Sequence, residues 1–291
     1  MTDLNNEKNK VCSSTLYLVG TPIGNLSDIS QRAIKVLSEV DFVAAEDTRN
    51  SGRLLAYFGI SKPLVSYYEH NKRERGEEIV QRLIAGESCA LITDAGMPAI
   101  SDPGEDLVRL CAERGVSVTT VPGACAMITA LTLSALSTNR FVFEGFLPVP
   151  KKERKQRLEQ LLIENRTFIL YEAPHKLRTT LADLCDVLGE DRKIAICREL
   201  TKINEEIQRT TIREACEIYS AREPRGEYVL VIDGTDKVVS AEKEVLRDKD
   251  ALKAAVSELC TSGMSKNAAI KSVAEANGLT RNQLYDMLIE K

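Results

Sequence analysis

Twelve consecutive residues, Thr93-Asp94-Ala95-Gly96-Met97-Pro98-Ala99-Ile100-Ser101-Asp102-Pro103-Gly104, hold two aspartates, two glycines and two prolines. Glycine lets a backbone come close to a ligand, and each proline stiffens the loop around it. A rigid loop offering N–H and C=O groups suits an adenosyl or amino-acid ligand. A plain turn needs one or two such residues, so this density reads as a binding site. Glu46-Asp47-Thr48-Arg49 sets two carboxylates and a guanidinium directly after the apolar run Phe42-Val43-Ala44-Ala45. Such a group can handle a proton at a cleft, or it can cap a helix and form a surface ion pair. Tyr171-Glu172-Ala173-Pro174-His175-Lys176 and Arg198-Glu199-Leu200-Thr201-Lys202 repeat the pattern of polar residues behind an apolar run. A histidine beside Glu172 and Lys176 is credible at a cleft, although a lone histidine is more often structural.

Two further loops are less specific. Thr21-Pro22-Ile23-Gly24-Asn25-Leu26 has a glycine and a proline but no GxGxxG spacing, and it serves equally as an ordinary turn. Val121-Pro122-Gly123-Ala124-Cys125-Ala126 opens a helix whose N–H groups suit an anion or a carboxylate, or it is a packed turn of small residues. Residues 151–157, KKERKQR, carry five positive charges and one negative. Such a run is a solvated helix face or a track for phosphates, and in the second case binding falls with salt. His70-Asn71-Lys72-Arg73 is a second polar, basic loop.

The elements that position these loops alternate. Apolar runs at 16–19, 41–45, 89–93 and 116–121 read as strands without polar alternation, as in a parallel sheet covered on both faces. Helical periodicity fills 30–40, 51–57, 76–85, 104–114 and 124–137. After the proline-rich joint at 146–150 a second set follows, with strands at 167–171, 193–198, 206–211 and 228–233 and helices at 174–188 and 212–220. The expected organisation is a disordered tail (1–14), an N-terminal α/β domain (15–138), a C-terminal α/β domain (139–234), a polar linker (235–249) and a helical domain (250–291). In that last domain Ser265 and Thr280 are N-caps, and Asn277-Gly278 closes one helix before the next, so it resembles a helix-turn-helix.

Composition excludes several classes. With 39 basic and 43 acidic residues the chain is no polycation, so nucleic acid would need a local basic patch. Its eight cysteines are scattered without ligand spacing and only two histidines accompany them, which points away from a metal and towards a reducing cytoplasm. Residues 115–139 carry no charge, yet Pro122-Gly123 splits them, so a strand, a turn and a buried helix are expected and a membrane span is not. The first ten residues hold no apolar stretch of the kind a secretory signal needs.

In order and spacing, LYLVGTPIGNLSDIS, AAEDTRNS, TDAGMPAISDPG, VPGACA, NRFVFEGFLP, LYEAPHKL and CRELTK resemble the ribosomal RNA small subunit methyltransferase I family. That family belongs to the tetrapyrrole-methylase-like methyltransferases, and the resemblance covers about residues 15–234. The sequence departs from the family where Gly20 replaces a usual Ala, Met97 a usual Thr, and Ala124-Cys125 a usual Pro-Ser. Tyr68, Lys72 and Ala135 stand where His, Glu and Gly are frequent.

The resemblance implies a two-domain tetrapyrrole-methylase-like (class III) α/β fold with a small helical C-terminal domain. It further implies S-adenosylmethionine-dependent 2′-O-methylation of a cytidine in the decoding region of 16S rRNA, by a homodimer acting on the small ribosomal subunit. Carried over by motif, the cofactor would be lined by Pro22, Asp94, Ala95, Gly96, Met97, Ile100, Cys125, Tyr171, Glu172, Ala173, Arg198, Glu199 and Leu200. Asp47 is the expected proton acceptor, with Glu46 shaping the site and His175, Lys202 and Glu172 in reserve. Arg49, His70, Lys151, Lys152, Arg154 and Lys202 are the expected RNA contacts. Two other readings are a tetrapyrrole C-methyltransferase on the same fold and a ligand-sensing DNA-binding regulator. The tail lacks the positive footprint a regulator wants.

Overall fold

A computed structural model describes residues 10–235, 249–276 and 281–289. Five short apolar segments pair into one sheet: β1 (Thr15–Val19), β2 (Phe42–Ala45), β3 (Leu64–Ser66), β4 (Cys89–Ile92) and β5 (Ser117–Val121), in the order β3-β2-β4-β1-β5. Every pairing is parallel. Side chains alternate between the two faces, as a pleated strand requires. Tyr17, Val43 and Ala90 join one core with Ala33, Val36 and Leu37 of α1 (Gln31–Glu39) and Leu55 of α2 (Thr48–Tyr57). Leu16, Phe42, Ala44 and Leu91 face α3 (Lys72–Ile84) and α4 (Glu105–Glu113) on the other side. Burial on both faces explains why β1, β2 and β4 show no polar alternation. By contrast β5, at the sheet edge, is mostly exposed and sets Ser117, Thr119 and Thr120 among its valines, unlike the apolar run expected there.

Caps explain two helix starts. The Ser30 hydroxyl accepts from Ala33 N at 3.0 Å, and the Asp47 carboxylate accepts from Arg49 N at 2.8 Å. Asp47 therefore starts α2 three residues earlier than the apolar pattern begins. Similarly, α3 opens with Lys72-Arg73-Glu74-Arg75, whose charges conceal its first turn from periodicity.

The second sheet comprises β6 (Phe141–Gly145), β7 (Thr167–Glu172), β8 (Lys193–Arg198), β9 (Glu206–Thr211) and β10 (Tyr228–Ile232), in the order β6-β7-β10-β8-β9. Only β6 and β7 are parallel, and the remaining pairs are antiparallel. One face packs on α6 (Lys151–Leu162), α7 (Leu177–Leu188) and α8 (Ile212–Ala221). The other face receives Ala130 and Leu131 of α5 (Ala126–Leu133), the helix that follows β5 of the first sheet. α5 thus links the two sheets, following a strand of the first and packing on the second, and residues 10–161 and 166–233 form one unit.

Among the described residues, 162–165, 234–235, 249–276 and 281–289 belong to a separate unit, with α9 (Lys249–Thr261), α10 (Lys266–Ala276) and α11 (Arg281–Ile289) around Leu252, Val256, Ile270 and Leu284. The expected turn at Asn277-Gly278 and cap at Thr280, and most of the expected linker, lie outside the described residues, as do residues 1–9 of the expected tail. Residues 10–14 of that tail are bonded: Cys12 N donates to the Tyr17 hydroxyl at 2.8 Å and Ser14 N to Glu87 O at 2.9 Å. No helix among the described residues is long and apolar enough to cross a membrane. The uncharged stretch at 115–139 folds as β5, a turn and α5.

The loop after β1 has no spare volume. A Cβ at Gly20 would lie 2.7 Å from Gly123 Cα and 2.7 Å from Met97 Sδ. Gly20→Ala is expected to destabilise the fold by about 1–3 kcal/mol, the usual cost of overpacking. Adding Met97→Thr should recover only part, because the Gly123 backbone stays in the way. Denaturant melts of the two variants check both statements.

Candidate active site

Because β1, β2, β4 and β5 are parallel, their C-terminal ends lie along one edge, where open α/β sheets bind ligands. The loops at 20–25, 46–47, 93–104 and 122–125 gather there. The first and third are stapled: Thr21 N donates to Gly96 O at 2.9 Å, Gly96 N returns to Thr21 O at 3.2 Å, and the Thr21 hydroxyl donates to Thr93 O at 3.1 Å. Gly96 has φ +86°, and a Cβ there would press on Ile23 Cγ2 at 3.3 Å.

The facing wall comes from the second sheet. Register sets Tyr228 of β10 opposite both Glu172 of β7 and Arg198 of β8, so 171–173, 198–202 and 227–229 share an edge. The walls meet where Gly24 lies against Leu200 O, Thr201 and Lys202, too close for any side chain. Ala99, Ser101, Glu199 and Thr201 all have φ between +52° and +68° in these two walls. Left-handed backbone at non-glycine residues costs energy and concentrates at functional sites.

Between the walls is a cleft of about 430 Å³. Ile23, Met97, Ile100, Phe146, Leu200 and Val229 make it chiefly apolar, and Ala95-Gly96, Cys125-Ala126 and Glu172-Ala173 bring main chain to it. Tyr171 closes one side, with its hydroxyl accepting from Met127 N at 3.1 Å and Phe143 and Phe146 edge-on at 5.0 and 5.7 Å. Burial pushes its pKa up to about 12. Glu172 is 5 % exposed and accepts from Ala173 N at 2.8 Å and from the Thr180 hydroxyl.

Asp102 also lines this cleft. Burial, then the nearby charges of Glu46 and Asp94, raise its pKa from 3.8 to about 7. Glu46 is likewise raised, first by burial and then by Asp94. Asp47 has the opposite fate. Hydrogen bonds from Arg49, at 2.7 Å and 3.1 Å from the guanidinium, hold its carboxyl well below the usual carboxylate range. A carboxylate so satisfied is a poor proton acceptor.

Of the expected cofactor residues, Ala95, Gly96, Met97, Ile100, Cys125, Tyr171, Glu172, Ala173 and Leu200 line the cleft. Pro22 and Asp94 line instead an adjoining cavity of about 350 Å³ that shares Ile23, Ala95 and Glu227 with it. Arg198 is engaged elsewhere, donating to Arg225 O at 2.7 Å and pairing with Glu206 at 3.5 Å. Glu199 accepts from Lys202 and from Glu227 N. Glu46 and Asp47 are at the end of β2 and line neither cavity.

His175 lies in a third cavity, about 540 Å³, beside Lys151, Lys155 and Lys176. That placement takes it away from the cleft chemistry expected of it. Arg154 is committed internally, to Asp183 at 2.7 Å and the Thr180 hydroxyl at 2.8 Å, which leaves Lys151 and Lys152 as the exposed cations of that expected group. Lys202 lines the adjoining cavity, between Glu199 at 2.8 Å and Glu227 at 2.6 Å. Burial works against its charge, but the two carboxylates outweigh it and its pKa is raised. Arg49 is exposed and paired to Asp47, and His70 is exposed beside Tyr68, with ring centres 6.2 Å apart. Sequence reasoning passed over Asp102 because both aspartates of its loop look alike in one dimension.

The family model of the tetrapyrrole (corrin/porphyrin) methylases matches residues 15–216. A Synechocystis protein named ribosomal RNA small subunit methyltransferase I is 45 % identical over 94 % of this chain and 97 % of its own. A Haemophilus influenzae protein of the same name is 45 % identical over 98 % of this chain and 97 % of its own. Among solved structures, a cobalt precorrin-4 methyltransferase superposes with TM-score 0.57 at 19 % identity, over 76 % of this chain and 95 % of that one. A Thermus thermophilus uroporphyrin-III C-methyltransferase, complexed with S-adenyl homocysteine, gives 0.55 at 18 %, over 78 % and 99 %. The fold is thus that of the tetrapyrrole methylases, and the chain belongs to the ribosomal RNA small subunit methyltransferase I family within them.

Proposed function

We propose that the protein is an S-adenosylmethionine-dependent methyltransferase that modifies the ribose 2′-hydroxyl of a cytidine in the decoding region of 16S rRNA. What carries the reading is the meeting, in one cleft, of the 93–104 loop with the strand ends of the second sheet. When bound, S-adenosylmethionine supplies a methyl group activated by its sulfonium charge. An apolar cleft with a few exposed main-chain groups fits such a ligand. Gly96, at the wall of the cleft, leaves room against Ile23 that a side chain would fill. The tetrapyrrole alternative is weaker, since relatives at 45 % identity carry the RNA name and the tetrapyrrole enzymes stand at 18–19 %.

Positioning provides much of the acceleration in such transfers, on the order of 7–11 kcal/mol. The stapled loops, rigid before any ligand arrives, supply it here. The hydroxyl proton goes to Asp102, which replaces Asp47 in this role because it faces the cleft and is not neutralised by an arginine. A pKa of about 7 suits a base working near neutrality. Lys151 and Lys152 on the exposed face of α6, with Lys155 and Lys176 around His175, track phosphates of the RNA. A homodimer working in the cytoplasm belongs to the same reading, and the eight free cysteines agree with a reducing compartment.

Labelled S-adenosylmethionine and isolated small subunits should yield label in RNA at one 2′-O position, found by nuclease mapping. Label elsewhere, or no heat on titrating the donor into the protein, refutes the proposal. Asp102 must be ionised to accept a proton, so kcat/KM should rise with pH through about 7. Asp102→Asn should lower kcat about 10²–10⁴-fold and remove that limb. Its folded-state pKa lies above the unfolded one, so ionisation opposes folding from about pH 4 upward and the full cost is reached above about 7. At pH 8 the variant should therefore melt no lower than wild type. Reversing two cations, in Lys151→Glu/Lys155→Glu, should raise the KM for subunits and flatten its salt dependence by about 1.4–1.8 in log–log slope.

A further inference from the structure

The adjoining cavity of about 350 Å³ opens from the cleft at Ile23, Ala95 and Glu227, and nothing said so far gives it an occupant. Its polar groups differ from those of the cleft. Asp94 is exposed, and Asn50 Nδ2 donates to its Oδ2 at 2.9 Å, so the carboxylate is fixed in direction while Oδ1 stays open. Lys202 has two of its three N–H groups on Glu199 and Glu227, with one left. Two more side chains of the wall, Ser51 at 3 % exposure and Thr93 at 2 %, carry hydroxyls without a hydrogen-bond partner. Both oxygens are closed off from the cavity surface, so they belong to its wall and do not reach an occupant. Leu26 and Leu54 give the cavity an apolar side, and Pro22-Ile23-Gly24 a flat main-chain one.

We propose that this cavity holds the base of the target nucleotide and selects cytosine, with Asp94 accepting the exocyclic amino group and Asn50 fixing Asp94. The inference rests on the methylation reading for the ribose and adds to it the choice of base. Cytosine presents one donor, N4–H₂, beside two acceptors, N3 and O2. A carboxylate is the side-chain partner for that donor. Lys202, with its remaining N–H, supplies a donor for those acceptors. Uracil has an acceptor at the corresponding position, which a carboxylate repels. A base can enter only when unstacked and turned out of its helix, as enzymes that act within folded nucleic acid require. Its ribose then lies towards the cleft, whose wall includes Asp102.

Small subunits reconstituted with cytidine or uridine at the labelled position read the choice directly. In wild type, kcat/KM should favour cytidine by at least about 100-fold. Asp94→Asn can turn its amide N–H towards uracil O4, and the ratio should fall about 10- to 100-fold, with uridine gaining in absolute rate. Asn50→Ala should raise KM and weaken the preference less. Donor titration should give wild-type affinity in both. A ratio unchanged in Asp94→Asn, or a preference kept while donor affinity collapses, overturns the assignment and leaves the methylation reading standing. Free cytidine and uridine, titrated against the full chain and followed by NMR, test the cavity without catalysis. Shifts of its residues with cytidine over uridine, reversed in Asp94→Asn, uphold it even if no RNA is methylated, and equal shifts with both nucleosides overturn it.

Discussion

The main chain of the first loop touches two other loops so closely that no side chain could stand between them, and the geometry of the site depends on that contact. Gly20 meets Gly123 within the first sheet, and Gly24 meets 200–202 of the second. Thr21 and Gly96 exchange two hydrogen bonds between those points. At Gly20 and Gly123 backbone meets backbone, which has no rotamers to relax, and at Gly24 the neighbours are the Leu200 carbonyl and the side chains of Thr201 and Lys202. Close packing thus sets the width of the cleft. The strained residues Ala99, Ser101, Glu199 and Thr201 sit beside these contacts, in walls rigid enough to hold them.

That rigidity sorts the carboxylates. Glu46 and Asp47 are neighbours in sequence, yet the end of β2 turns one inward and makes the other the cap of α2. Asp47 receives three hydrogen bonds from Arg49 and is settled as an anion. Glu46 joins Asp94 and Asp102, where burial and mutual repulsion favour protonation of Glu46 and Asp102. Carboxyls whose environments drive their pKa values apart divide into a structural anion and a group able to exchange protons. Asp94 is held in direction by the Asn50 side-chain amide.

Much of the first sheet was legible because burial on both faces leaves an unmistakable apolar run, as in Cys89–Ile92. β3 has three half-buried residues and β6 five that are exposed or half-buried save one, so neither separates from its loop by composition. The loops that line the cleft were legible from glycine and proline density, since local backbone demands are written in local sequence. Which carboxylate faces inward was not, because that depends on Arg49 reaching back to Asp47 and on Glu46 meeting a loop about fifty residues away. The place of His175 was not legible for a related reason: three residues past the end of β7 it lines another cavity, although Pro174 beside it still lines the cleft. The Gly20 and Met97 departures become intelligible together, since the methionine sulfur fills the space a Cβ at position 20 would need.

Arg154 shows why a basic run cannot be treated as one surface. Its guanidinium binds Asp183 and the Thr180 hydroxyl, and Thr180 in turn donates to Glu172, a buried carboxylate on the wall of the cleft. An isolated buried anion is costly, so Glu172 needs both Thr180 and Ala173 N as donors. A hydroxyl has one proton to give, and Arg154, by donating to the Thr180 oxygen, leaves that proton for Glu172. The arginine therefore fixes a hydrogen-bond direction that ends beside the methyl donor's proposed cleft. Its neighbours Lys151 and Lys152 lack such partners among the described residues and remain exposed. One helix thus uses its inward cation to hold the wall and leaves its outward cations exposed, where the proposed phosphate contacts would form.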